Sequence, residues 1–172
     1  GTFGPEWRLG GVSNWLIQTN NVLSGSQTAK AGTISSSQES PLTREVSSIP
    51  AGAGDVMYQV SSESSFDYLV FCIDNTACTR SSGYNQRWSG VTAGTHSFTM
   101  AANVQSLTWK YSKDGSVNSG SDTAWIDDIT ITPTGGAGNG IGSWTSPAFG
   151  PSLTGQGEPR SYGFMYMDAY IH

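Results

Sequence analysis

The chain has 172 residues and a net charge of −5, and only 12% of its residues are charged. Its eight Lys and Arg residues are scattered along the sequence, so the concentrated basic patch that nucleic acid requires is missing and this class of partner is excluded. No apolar segment approaches the roughly 20 residues of a membrane span, and six Trp, seven Tyr and six Phe supply the apolar area that a disordered chain lacks.

In chain order, the sequence predicts many short strands and almost no helix. The predicted strands cover residues 14–19, 28–34, 42–49, 55–60, 67–73, 86–91, 96–100, 106–111 and 124–132. Turn-forming residues separate them at 20–21, 24–25, 50–54, 82–83, 93–94 and 114–115. Short strands at this spacing are typical of an antiparallel β-sandwich, so we predict an all-β fold of jelly-roll type.

Two of these strands also indicate which side chains they bury. Leu107, Trp109 and Tyr111 alternate with polar residues, which places the three apolar side chains on one face of their strand. Residues 68–73 are apolar on both faces, so we expect this strand to be covered on both sides.

The two cysteines, Cys72 and Cys78, flank a turn-like segment at residues 74–76. They are predicted to face each other across a hairpin, at a spacing that suits a disulfide bond. A disulfide would indicate an oxidising compartment; the alternative is two buried thiols. Zinc is not expected, because it needs further Cys or His ligands and the chain has only His96 and His172.

Residues 84–88 combine aromatic, amide and guanidinium groups beside Gly83. A sugar presents apolar ring faces and hydroxyl edges, so this mixture predicts a glycan site in which Trp88 stacks on a ring. The alternative is a structural role, since Tyr and Trp are frequent in the cores and edges of β-sandwiches. The candidate ligand-binding residues are Tyr84, Asn85, Gln86, Arg87 and Trp88.

Between Tyr111 and Ile129, four Asp residues lie among small hydroxyl and amide residues before an apolar strand. Carboxylates on a flexible loop beside a rigid strand are ligands that Ca²⁺ prefers. The sequence therefore predicts a structural calcium ion, with ordinary surface turns as the alternative. The candidate ligands in this segment are Asp114, Asp122, Asp127 and Asp128.

The spacing of Ile126 and Ile129 conflicts with a regular strand, because residues three apart point to opposite faces. A β-bulge at Asp127 and Asp128 would keep both Ile side chains inward and re-aim one carboxylate. The alternative is an exposed Asp pair within an otherwise buried strand.

No group of residues stands out as catalytic. Glu63, Asp67 and Asp74 are carboxylates from which a glycosidase could draw a pair, and His96 is a single histidine after a predicted turn. No Gly-x-Ser-x-Gly elbow is present. We therefore expect a non-catalytic module, with a jelly-roll lyase or glycosidase as the alternative.

The composition of residues 133–142 is that of a Gly-rich linker. It divides a predicted β-sandwich binding module at residues 1–132 from a tail at 143–172 that is too short to fold alone. The tail either docks as a strand on a sandwich or opens a truncated second domain. In an alternative function, it inserts into a neighbouring subunit's sheet and assembles a structural adhesin or appendage by strand addition.

Five segments carry a resemblance to a known family. They are residues 60–69, 71–74, 91–98, 107–116 and 124–129, which include Ser62-Glu63-Ser64 and Trp125-Ile-Asp-Asp-Ile129. Together they resemble a widespread bacterial extracellular β-sandwich domain that is similar to MAM domains and to jelly-roll carbohydrate-binding modules. The match covers roughly residues 6–132, and the tail looks like the beginning of another MAM-type domain.

The resemblance implies a secreted or cell-surface accessory module that binds carbohydrate or mediates adhesion and is often braced by calcium. In such jelly rolls an acidic residue near the first strand shares the ion with one on the last strand, which implies Glu6 with Asp127 or Asp128. The implied partners are a polysaccharide or cell-surface glycan and neighbouring modules of the same protein. We expect the chain to be a piece of a larger mature protein.

Overall fold

The computed structural model describes residues 1–46 and 50–133, together with the backbone pairing of Trp144–Thr145. The described residues form strands and no helix, which confirms the predicted all-β class, and they include no helix long and apolar enough to cross a membrane. The strands are β1 (Trp7–Leu9), β2 (Leu16–Gln18), β3 (Thr28–Lys30), β4 (Glu39–Glu45), β5 (Gly52–Ser61), β6 (Tyr68–Ile73), β7 (Gln86–Trp88), β8 (Val91–Met100), β9 (Ser106–Ser112), β10 (Thr123–Pro133) and β11 (Trp144–Thr145).

Two antiparallel sheets pack face to face. The first has the order β1-β4-β9-β6-β7, and the second has the order β2-β3-β10-β5-β8, with β11 paired to β10. The alternation predicted for β9 is confirmed, because Leu107, Trp109 and Tyr111 are fully buried in the core between the sheets. Each such side chain contributes about 1.5–3 kcal/mol through burial, so the closed sandwich fixes which face of every strand points inward.

Strand β6 is buried on both faces, as its apolar sequence predicts. Leu69 and Phe71 point into the main core. Val70 and Cys72 point to the outer face of the five-stranded sheet and form a second small cluster with Cys78. The segment between β6 and β7 folds over this outer face and covers it.

Strand β10 contains the predicted β-bulge. Its pairing with β5 shifts register between Asp127 and Thr130, and the φ angle of Asp128 is 41°, which lies in the left-handed region.

 The two β10 residues Asp128 and Ile129 therefore lie opposite the single β5 residue Val56. Ile126 and Ile129 both remain buried in the core, which is the arrangement that the sequence predicts for a bulge.

Two predicted turns are wrong, because both segments belong to long strands. Strand β5 already begins at Gly52, and β8 continues through the predicted turn at residues 93–94. In the β5–β8 pairing, Gly54 lies opposite Phe98 and Gly94 lies opposite Tyr58. A Cβ atom on Gly54 would lie 2.4 Å from Phe98 Cζ. At Gly54, the glycine therefore makes room for an aromatic ring across the strand pair, and it does not mark a turn.

The disulfide between Cys72 and Cys78 is present, so the alternative of two reduced thiols is wrong. The predicted hairpin around it is also wrong, because Cys78 lies in the segment between β6 and β7 and the strand that pairs with β6 is β7. The bond therefore ties this segment to the outer face of β6.

Most of the predicted linker and tail lie outside the described residues, as does the end of the predicted strand at 47–49. Within the described part, β10 extends to Pro133, and β11 pairs with β10 through Thr130↔Thr145 and Ile131↔Trp144. The division of the chain at residues 133–142 stays a prediction.

Candidate functional site

The predicted calcium ligands do not form one group in the structure. Glu6 precedes β1, and its Oε1 atom lies 3.3 Å from Nη1 of the buried Arg44 on β4. Asp127 lies on β10 in the other sheet. The two carboxylates implied to share one ion therefore have different contacts, Arg44 for Glu6 and the backbone N–H groups of Ser24 and Asp128 for Asp127, and the implied pairing stays a prediction.

Asp127 is fully buried and serves as a hydrogen-bond acceptor for two backbone segments. Its Oδ2 atom accepts from Ser24 N at 3.1 Å, and its Oδ1 atom accepts from Asp128 N at 2.9 Å. Burial raises the pKa of Asp127, while these two hydrogen bonds act in the opposite direction. Asp127 thus fastens the loop before β3 to the bulge in β10, and Asp128 is half-buried beside it.

Asp122 belongs to a buried ion-pair system. Its carboxylate contacts Lys113 Nζ and accepts a hydrogen bond from the Tyr111 hydroxyl at 3.0 Å. The same ammonium donates to Asn118 Oδ1 and lies 3.9 Å from Asp67 Oδ2. The side chains of Lys113 and Asp67 are fully buried. Burial, followed by the charge and hydrogen bond of Asp122, raises the pKa of Tyr111 above its ordinary range.

Asp114 instead joins Glu63 and Asp67. One carboxylate oxygen from each of the three lies within 4.8 Å of the other two, which makes them the one group of three or more potential metal ligands among the described residues. Asp67 Oδ1 accepts a hydrogen bond from Asp114 N at 2.8 Å, which ties the two loops together. We call Glu63, Asp67 and Asp114 the acidic cluster.

The pKa values of Glu63 and Asp67 in the acidic cluster are both raised above their ordinary values. Burial is the largest cause that raises the pKa of both Glu63 and Asp67, and the charge of Asp114 raises both further. The positive charge of Lys113 lowers the pKa of both carboxyl groups. The atoms Glu63 Oε2 and Asp67 Oδ2 are buried without a hydrogen-bond donor. Buried carboxylate oxygens that have no hydrogen-bond donor are suitable ligands for a hard cation such as Ca²⁺.

Glu63 and Asp67 are not among the metal ligands predicted from the sequence, which indicates them only as possible catalytic carboxylates. One available signal was the position of Asp67, which directly precedes a strand that is apolar on both faces. A carboxylate at such a position is buried unless the strand frays, and buried carboxylates need a partner.

The aromatic segment at residues 84–88 is divided between the two faces of its sheet. Strand register places Trp88 opposite Leu69 and Arg87 opposite Val70, so Trp88 points into the sandwich and Arg87 points out. Trp88 stacks on Tyr58 of the other sheet, with ring centroids 4.2 Å apart. Trp88, the side chain predicted to stack on a sugar ring, is therefore part of the packing between the sheets.

Arg87 lies on the outer face, against two tyrosines. Its guanidinium carbon is 4.3 Å from the ring centroid of Tyr68 and 4.7 Å from that of Tyr84. All three side chains are half-buried. This group leaves aromatic and guanidinium surface in contact with solvent, and we call it the Tyr68–Arg87–Tyr84 platform.

The two amides of the segment have internal partners. Asn85 Oδ1 accepts from Ile73 N at 2.7 Å, and its backbone N–H donates to Phe71 O at 2.9 Å. Gln86 Oε1 accepts from the next backbone N–H at 2.9 Å. These contacts extend the β6–β7 ladder and hold the platform in place.

A buried lysine fastens the covering segment to the sheet. Lys110 Nζ on β9 donates to Cys78 O at 2.6 Å and Thr76 O at 3.4 Å, and it lies 3.0 Å from Glu39 Oε2. Together with the disulfide, these contacts fix the segment between β6 and β7 on the outer face.

The other candidates for catalysis have structural surroundings. Asp74 Oδ1 accepts from the backbone N–H groups of Gln105 and Ser106 at 2.5 and 2.9 Å. The ring of His96 meets Phe71 and Trp88 edge-on, with centroids 5.7 and 5.2 Å away. Burial lowers the pKa of His96.

Comparison with known proteins shows the fold. No protein-family model and no curated protein matches the sequence. Among solved structures, the K2 cleaved adhesin domain of Lys-gingipain has a TM-score of 0.53 at 13% identity, covering 74% of this chain and 88% of that one. TmCBM61 in complex with β-1,4-galactotriose has a TM-score of 0.50 at 14% identity, covering 75% and 89%. The fold is a jelly-roll β-sandwich.

A third similar structure belongs to a much longer protein. The secreted serine protease VesC from Vibrio cholerae has a TM-score of 0.51 at 14% identity, and the match covers 70% of this chain but only 24% of VesC. The structural neighbours thus include a carbohydrate-binding module and an adhesin domain, as the sequence resemblance implies, and the likeness at these identities concerns the fold.

Proposed function

We propose that this chain is a secreted or cell-surface, non-catalytic module that binds carbohydrate or mediates adhesion and is braced by calcium. The observation that carries the proposal is the Tyr68–Arg87–Tyr84 platform on the outer face of a jelly-roll sandwich. The fold is shared with an adhesin domain and with a module solved in complex with a galactose trisaccharide.

The platform has the chemistry that a sugar requires. The half-exposed ring of Tyr84 offers an apolar face to a pyranose ring, and Arg87 offers several N–H donors in a fixed plane to hydroxyl or carboxylate groups. Stacking against two rings restricts the guanidinium before any ligand arrives. A preorganised group loses less conformational entropy on binding. An acidic or heavily hydroxylated glycan is therefore the expected ligand class.

The surroundings of the platform support a fixed binding surface. The disulfide and Lys110 anchor the segment that carries Tyr84. A disulfide also persists only in an oxidising environment, which supports a place outside the cell.

The proposal of a non-catalytic role rests on the surroundings of Asp74 and Asp67, two of the carboxylates from which a glycosidase could draw a pair. Asp74 holds backbone N–H groups, and Asp67 is fully buried against Lys113. A glycosidase requires two carboxyl groups that face a sugar across a cleft. Neither the acidic cluster nor His96 lies on the platform.

Retention on immobilised polysaccharides and a glycan array, with and without calcium, tests the proposal. We expect Tyr84→Ala and Arg87→Ala to weaken retention about tenfold, because each removes one side of the platform at about 1–1.4 kcal/mol. Phe66→Ala is the matched control, since Phe66 is an exposed aromatic on a different loop. Retention equal to that of the wild type in both platform variants, or turnover of any glycan, would contradict the proposal.

One observation favours a second function, assembly by strand addition. Strand β11 pairs with β10 next to the position of β3, so a segment of the tail adds to an edge that a strand from another copy could also occupy. Polymers that disappear on deletion of residues 143–172 would support this function. A monomer at all concentrations would contradict it.

A further inference from the structure

We propose that Glu63, Asp67 and Asp114 bind one Ca²⁺ ion at the end of the sandwich where the β5–β6 and β9–β10 loops meet. This inference deepens the proposed calcium bracing by naming its site, and it does not depend on glycan binding. It also places the ion away from Glu6 and from Asp127 or Asp128, the residues that the family resemblance implies.

The spacing of the three carboxylates fits a shared ion. Ca²⁺ binds oxygens at about 2.3–2.6 Å, so two oxygens on opposite sides of one ion are about 5 Å apart. One oxygen from each member of the acidic cluster lies within 4.8 Å of the other two. All three can therefore reach a common centre with small side-chain adjustments.

A second observation points independently to a ligand. The Asp67 side chain is fully buried, yet its Oδ2 atom has no hydrogen-bond donor. Glu63 Oε2 is likewise buried without a donor. A buried carboxylate oxygen that lacks a donor is destabilising, because it has lost its water without compensation. A cation between Glu63 and Asp67 would satisfy both atoms.

Lys113 does not provide enough positive charge by itself. The acidic cluster and Asp122 together carry four carboxylates, and among the described residues the one ion-pair partner of any of them is Lys113, which lies within 4 Å of Asp67 and Asp122. The sum is −4 + 1 = −3 when all are ionised. The ammonium donates to Asp122 and Asn118, and it is 3.9 Å from Asp67 Oδ2. At that distance Asp67 Oδ2 receives no hydrogen bond from the ammonium, and Glu63 Oε2 has no donor either, so the negative charge that remains at the acidic cluster would be offset by a divalent ion.

Calcium suits this site better than magnesium. Mg²⁺ keeps several of its waters and demands near-ideal octahedral geometry, whereas Ca²⁺ accepts six to eight oxygens in flexible arrangements. Asp67 is too deeply buried to face a hydrated ion. We expect a dissociation constant of about 0.1–1 mM, as in other extracellular calcium modules.

Calorimetric titration of the chelator-treated full chain with CaCl₂ and MgCl₂ tests the site. The wild type is expected to bind one Ca²⁺, with Mg²⁺ at least tenfold weaker. Glu63→Gln and Asp114→Asn should each weaken Ca²⁺ binding at least tenfold. Asp127→Asn and Glu45→Gln are matched controls, because they remove a carboxylate elsewhere, and both should stay within twofold of the wild type.

The outcomes separate the site from calcium bracing in general. Calcium binding that is unchanged in Glu63→Gln and Asp114→Asn but lost in Asp127→Asn would overturn the site and leave calcium bracing intact. No heat and no rise in melting temperature up to 10 mM CaCl₂ in the wild type would overturn both. If Asp114→Asn fails to fold, calcium titration of Glu63→Gln tests the site by itself, because Glu63 Oε2 has no hydrogen bond to lose.

Discussion

The indole ring of Trp88 stacks on the phenol ring of Tyr58, with centroids 4.2 Å apart. Trp88 belongs to β7, at the edge of the five-stranded sheet, and Tyr58 belongs to β5 in the other sheet. The contact joins the sheets near one edge of the sandwich, where the ring of His96 also meets Trp88. Trp88 therefore stabilises the fold. Tyr84 and Arg87 are the side chains of its segment that a ligand could contact from the solvent.

Replacing Trp88 by Ala should lower the free energy of unfolding by about 2–4 kcal/mol. This is somewhat less than the full loss of a buried Trp, because Trp88 is only half-buried. Urea unfolding followed by circular dichroism measures the change. The Trp88→Phe variant should lose less of the free energy of unfolding, since it keeps a ring against Tyr58. A Trp88→Ala variant as stable as the wild type would show that the stack contributes little.

Reduction of the Cys72–Cys78 bond should lower the free energy of unfolding by about 2 kcal/mol. The two cysteines are six residues apart, and closing so short a loop restricts the unfolded chain only modestly. Unfolding with and without reductant measures the difference, and the Cys72→Ala/Cys78→Ala variant is the control for reductant effects. Insensitivity of the wild type to reductant, with thiols shown to be reduced, would contradict this expectation.

Replacing Lys113 by Met should destabilise the fold by about 3–5 kcal/mol. The substitution leaves the fully buried Asp67 and the half-buried Asp122 without their ammonium, and an uncompensated buried charge is strongly destabilising. Arg8→Gln is the matched control, because the Arg8–Glu45 pair is exposed and such pairs contribute about 0–1 kcal/mol. Denaturant unfolding should separate the two variants clearly. Equal effects would mean that burial does not decide the contribution of the ion pair.

Removal of calcium should lower the melting temperature by roughly 3–10 °C relative to 10 mM CaCl₂. An ion at about 10–100 times its dissociation constant stabilises the native state by about 1.4–2.7 kcal/mol, and that free energy sets the shift for a domain of this size. Thermal unfolding with excess chelator measures it. The same melting curve in both conditions would remove calcium as a bracing ion.

Without calcium, the acidic cluster should make the fold more stable as the pH falls from 7 to 5. Folding raises the pKa values of Glu63 and Asp67, so the folded state binds protons more tightly than the unfolded state. This stability is fully present below the unfolded pKa values and is lost as the pH rises through the folded ones. The pH dependence of urea unfolding, compared between the wild type and Glu63→Gln, isolates the effect. A wild-type slope equal to that of Glu63→Gln would contradict it.

Local sequence patterns predicted much of the fold but little of the acidic cluster. Alternation identified the buried face of β9, and the Ile126–Ile129 spacing identified the bulge, because both depend on neighbours within one strand. The same alternation places Trp88 and Arg87 on opposite faces. Composition groups the two residues in one candidate site, although strand geometry separates them. Gly54 is predicted to lie in a turn for a related reason, since its partner Phe98 is distant in sequence.

The sequence by itself determined the all-β class, the disulfide partners and the inward faces of the central strands, because these follow from residues that lie close together along the chain. Only the tertiary structure decided which carboxylates meet. Asp67 and Asp114 are 47 residues apart and are joined where two loops converge after the sheets close. Their approach depends on the pairing of β6 with β9, and contacts between strands distant in sequence carry no local signal.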